Sequence, residues 1–83
     1  MNIEQFLNQN VIYDHDIFID KNVLEIFFTN EVSTSKMYDF MIEIFKKNDI
    51  FYNLEKENAV SFTFSIVKNK ERYKLNFKKS KFF

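Results

Sequence analysis

With 83 residues, 46% of them hydrophobic, 29% charged and twelve of them phenylalanine, the chain suits one folded domain around one aromatic core. The absence of cysteine removes disulfides, thiolate nucleophiles and cysteine-bound zinc, and the absence of glycine removes the P-loop, the dinucleotide-binding turn and the G-x-S-x-G nucleophile elbow. Twelve basic and twelve acidic side chains cancel, but seven of the bases follow Val67 and eleven of the acids precede Lys68, so an acidic body carries a basic end.

In chain order, residues 2–8 read as a short additional helix with Ile3, Phe6 and Leu7 along one side. Residues 11–20 and 23–30 read as a hairpin closed by Lys21 and Asn22. A two-residue loop sets Ile19 opposite Leu24, Ile17 opposite Ile26 and His15 opposite Phe28, all on one face. The other face then carries Asp14, Asp16, Phe18, Asp20, Val23, Glu25, Phe27 and Thr29.

Met37, Phe40, Met41, Ile44 and Phe45 recur at the spacing of one apolar helical face, which predicts a helix over residues 33–47. Ser33, Thr34 or Ser35 caps its start, Lys46 and Lys47 suit its negative end, and Asn48 ends it. Three strands follow as a meander. A loop with Asn58 in the left-handed conformation pairs Leu54 with Val60, Tyr52 with Phe62 and Ile50 with Phe64. A loop at Asn69 and Lys70 pairs Ile66 with Tyr73, Phe64 with Leu75 and Phe62 with Phe77. The expected fold is a two-layer α+β sandwich: one amphipathic helix on a mostly antiparallel five-stranded sheet, in the chain order ββαβββ. These patterns leave the strand order within the sheet open.

Little in this framework is placed for catalysis. His15, the sole histidine, lies between Asp14 and Asp16, but strand alternation turns both aspartates to the face away from it. Among Tyr13, Ile17 and Ile19 it reads as a structural residue. Asp14 and Asp16 share a face and could begin a Mg²⁺-dependent nuclease site, yet two carboxylates on one strand are commonplace on protein surfaces. The expectation is a non-enzymatic protein with no cofactor and no metal.

Phe18 and Phe27 are more informative, as diagonal neighbours ringed by Asp14, Asp16, Asp20 and Glu25. Aromatic anchors with an acidic rim read as a partner-binding site for a protein with a basic surface. The competing expectation is that Ile3, Phe6 and Leu7 fold back and cover the pair. At the basic end Tyr73, Leu75 and Phe77 are claimed by the core, which leaves Arg72, Lys74, Lys78, Lys79 and Lys81 as an alternative, phosphate-contacting nucleic-acid site. The preferred reading of that strand is a sheet edge guarded by charge, with Phe82 and Phe83 beyond the paired register.

A small protein-binding module is therefore the expected function. Abundant Lys, Asn, Ile and Phe beside a single Ala and a single Arg imply AT-rich coding, hence a low-GC bacterium or its phages and plasmids. The concrete form is an inhibitor of a host or defence protein, of the anti-CRISPR kind, with a toxin-immunity protein as a relative of the same idea. The opening residues lack the charged and apolar regions of a leader, and no apolar run approaches the roughly 18 residues of a membrane span. A cytoplasmic location without a membrane partner is expected, and a homodimer through the outer sheet face or strand edges suits a domain of this size.

Overall fold

The computed structural model describes residues 2–80, so the expectations placed on Lys81, Phe82 and Phe83 lie outside the described residues. Helix α1 (Ile3–Asn10) leads into the hairpin β1 (His15–Asp20) and β2 (Val23–Phe28). Helix α2 (Thr34–Lys47) follows, then β3 (Phe51–Glu57), β4 (Ser61–Lys68) and β5 (Glu71–Lys79). The strands form one sheet in the order β1-β2-β5-β4-β3, antiparallel except where β2 and β5 run parallel. This is the two-layer α+β architecture, with a second helix contributing to the core.

One face of the sheet supplies the core. Leu24, Ile26, Phe28, Phe62, Phe64, Ile66, Leu75 and Phe77 alternate inward along three strands and are buried together with Met37, Met41, Ile44 and Phe45 of α2. Ile3, Phe6 and Leu7 of α1 join the same cluster. The N-terminal segment thus lies on the inner face, and the expectation that it covers Phe18 and Phe27 is not met. Its apolar residues, one helical turn apart, fill space at the inner layer instead, where Asn8 Oδ1 lies 2.9 Å from His15 Nε2 and Lys68 Nζ sits 4.9 Å above the Phe6 ring. Among the described residues no helix is long and apolar enough to cross a membrane.

The two-residue turns deliver the expected registers. Ile17 pairs with Ile26 and His15 with Phe28, and Phe64 pairs with Leu75 and Phe62 with Phe77. The β3–β4 ladder differs: Tyr52 pairs with Ile66 and Leu54 with Phe64, four positions further along β4 than expected. Strand β3 runs on to Glu57, and a bulge between Leu54 and Lys56 absorbs the extra residue. Asn58 shapes the turn with its side chain and not with a left-handed backbone, its Oδ1 accepting from the amides of Val60 and Ser61.

The basic strand is also not an edge. β5 is bonded to β2 on one side and β4 on the other, at the centre of the sheet. Lysines are tolerated there because α1 and α2 lie on the other face, so Lys74 is exposed and Lys78 half-exposed while Leu75 and Phe77 are buried. The edges belong to β1 and β3.

Without glycine, four of the described residues take the left-handed backbone: Lys21, Asp49, Asn69 and Lys70, with φ of 57°, 55°, 53° and 67°. Asp49 closes α2, its amide bonding to the Lys46 carbonyl while Ile50 bonds back to Phe45, the double bond of a helix-ending turn that usually employs glycine. Asp49→Gly and Lys70→Gly are each expected to stabilise the fold by about 0.5–1 kcal/mol, since glycine relieves the contact of Cβ with the backbone. Thermal melting checks this, with an expected rise of roughly 2–8 °C.

Candidate functional site

The open face of the sheet carries both groups of candidate residues. On its β1–β2 side, Asp16 stands opposite Phe27, Phe18 opposite Glu25 and Asp20 opposite Val23. Phe18 is 61% exposed, and its ring meets the half-buried Phe27 edge to face, with centroids 5.6 Å apart at 83°. That geometry is the favourable one for two aromatic rings and holds Phe18 upright over the strand. Asp14, Asp16 and Asp20 are exposed around the pair.

Parallel pairing of β2 with β5 places the basic strand directly beside this acidic half. Three rows cross the face: Asp16, Phe27, Lys78 and Ser61; Phe18, Glu25, Asn76 and Thr63; Asp20, Val23, Lys74 and Ser65. Lys78 Nζ bonds Glu25 Oε2 at 2.6 Å across the β2–β5 seam. With both side chains at least 40% exposed, that pair is worth at most about 1 kcal/mol. Further along, Thr63 Oγ1 donates to Asn76 Oδ1 at 2.8 Å, and Ser65 Oγ donates to Glu55 Oε1 at 2.6 Å.

Glu55 is held below the usual carboxylate pKa, first by the Ser65 hydroxyl, then by the Asn53 amide, with the Lys74 charge assisting. A depressed carboxyl favours the fold while it is charged. This contribution is therefore complete above the ordinary Glu range and is lost as the pH falls through the lowered value.

The sequence-defined nucleic-acid set is split by the fold. Arg72, Lys74 and Lys78 share the open face, but Lys78 is engaged by Glu25. Lys79 alternates to the other side, beside Ser33 and Thr34 at the start of α2, and Lys81 lies outside the described residues. His15 is half-buried on the inner side; Nδ1 donates to the Tyr13 carbonyl at 2.7 Å and Nε2 meets Asn8. Its ring ties the hairpin to α1. Among the described residues no three His, Asp or Glu side chains gather as a metal site.

One feature of this face was not singled out by sequence reasoning. A groove of about 530 Å³ crosses its far half, floored by Val23, Val67 and Phe51 and rimmed by Arg72, Lys74 and Glu55. Phe51 is 82% exposed. The signal was present, since Ile50 and Tyr52 inward force Phe51 outward, but the groove spans four strands whose order no local pattern encodes.

Comparison with protein-family models, with curated protein sequences and with solved structures finds no match for this chain.

Proposed function

We propose that this chain is a small non-enzymatic protein-binding module that docks a partner protein on its open sheet face, centred on Phe18 and Phe27. The observation that supports it is the edge-to-face pair, with Phe18 exposed, on the sheet face opposite the core that α1 and α2 join. Apolar area left in water among acidic side chains is what a partner removes on binding, and aromatic side chains anchored by a neighbour supply it at low entropic cost. Asp14, Asp16 and Asp20 add a rim that attracts basic residues and orients the encounter. In its sharper form the partner is a host or defence protein that the chain inhibits, as an anti-CRISPR or toxin-immunity protein would; this form draws on the AT-rich coding alone.

The test uses the folded chain as bait in a low-GC bacterial lysate, with captured proteins identified by mass spectrometry and competed with free chain. Phe18→Ala and Phe27→Ala are each expected to weaken the identified partner by about 2 kcal/mol, roughly thirtyfold, with melting temperature nearly unchanged for Phe18→Ala. Equal affinity for wild type and both variants removes this face from the function.

A further inference from the structure

Resting on that reading, we infer that the protein docked on this face in a solution of the pure chain is a second copy, packed face to face about a twofold axis that runs parallel to the strands over β2. A twofold interface must be complementary to itself, so a surface that serves it needs both signs of charge placed symmetrically about one line. This face has that division. β1 contributes Asp16 and Asp20, β5 contributes Lys74 and Lys78, and β2 runs between them with Phe27, Val23 and the Lys78-bound Glu25.

The register makes the match specific. Asp16 and Lys78 lie in one row with Phe27 between them, and Asp20 and Lys74 lie in another with Val23 between them. Rotation about an axis over β2 preserves each row and exchanges its ends. Asp20 then faces Lys74 of the second copy, Asp16 faces Lys78, Phe18 covers Asn76, and Phe27, Glu25 and Val23 meet their own counterparts on the axis, each Glu25 being held by Lys78 of its own chain. Zero formal net charge removes the long-range repulsion that opposes self-association.

Edge-to-edge pairing is the poorer route. An antiparallel β1–β1 contact brings Asp14, Asp16 and Asp20 of one chain alongside the same acids of the other, and like charges across strands repel. The β3 edge carries a bulge beside Glu55, Lys56 and Glu57, a common device against strand addition. About an axis over β2 only β1, β2 and β5 of each copy face one another, and three strands about 4.8 Å apart and about 20 Å long bury on the order of 600 Å² in total, which makes the contact a weak and transient one. The pair should accordingly form and dissociate with concentration.

Sedimentation velocity between about 10 μM and 1 mM is expected to show wild type passing from monomer toward dimer at the upper end of that range, as suits a small interface. Asp20→Lys and Lys74→Asp each place like charges at both symmetric contacts, and each should raise the midpoint by about tenfold or more. Mixing the two variants restores opposite charges at both contacts, so the equimolar mixture should dimerise at least as well as wild type. A wild-type chain that stays monomeric throughout overturns the inference, as does a mixture no better than its components, or variants that dimerise unchanged. These failures are separable from failure of the docking reading: a monomeric chain that loses its captured partner on Phe18→Ala keeps the docking face and loses only the second copy.

Discussion

Phe64→Ala is expected to remove most of the stability of this domain. The ring is fully buried and touches five others: Tyr38, Phe45, Tyr52, Phe62 and Phe77, at centroid distances of 5.5, 5.2, 5.9, 5.5 and 6.4 Å. Those rings come from α2, β3, β4 and β5, so the side chain joins both layers of the sandwich. Truncation of a buried Phe costs about 3–5 kcal/mol, because the lost transfer energy is compounded by a cavity that stiff aromatic neighbours cannot collapse into. A chain of this length has roughly 4–12 kcal/mol in total. Urea denaturation followed by far-UV circular dichroism checks the outcome. Phe64→Leu fills part of the cavity and should lose clearly less, whereas a midpoint for Phe64→Ala near that of wild type would show that the ring cluster is not the centre of the core.

Leu7→Ala is expected to be costly too, about 2–3 kcal/mol, but to act locally. Alanine is the better helix former, so the whole loss is packing. Helix α1 has eight residues, too few to persist alone in water, and it is held by Ile3, Phe6 and Leu7 in the core with the His15–Asn8 contact beside them. Once the docking energy is gone the helix can leave without the sheet, which limits the penalty. Hydrogen exchange separates the alternatives: amides of α1 should lose protection while those of β4 and β5 keep theirs. Uniform loss across the sheet would mean that α1 is integral to the cooperative unit. The open face lies on the other side of the sheet, so affinity for a partner should survive this substitution.

Local features were legible in the sequence because local physics fixes them. The turns at Lys21-Asn22 and Asn69-Lys70 leave two residues unpaired, and each ladder follows residue by residue from its turn. The Phe18–Phe27 pair was visible for that reason, since both members sit in one hairpin. The β3 register escaped because a slip of four positions keeps every side chain on its face, so the burial pattern fits either pairing. The position of α1 escaped because three apolar residues on a helix do not say which uncovered face they meet.

Strand order is a different kind of information. Nothing within residues 72–78 distinguishes a charge-guarded edge from a central strand with one wet face, and the latter was decided by β2, far away in the chain. The same pairing converted two candidate sites at opposite ends of the sequence into neighbouring halves of one surface. Lys78 shows the effect most plainly: its charge belonged to a phosphate-binding set in the sequence and is engaged by Glu25 in the fold.

The β2–β5 seam also sets the order of events in folding. The hairpin and the meander each close through short turns and are expected to form early, in microseconds for an isolated hairpin. The seam joins residues roughly fifty apart in sequence and must first meet the entropy of closing that loop. With no proline in the chain, no slow prolyl isomerisation masks this step. Acidic and basic halves meet only when the seam closes, so the complete face is a late product of folding, and any fluctuation that parts β2 from β5 erases it while the hairpin and the meander remain intact.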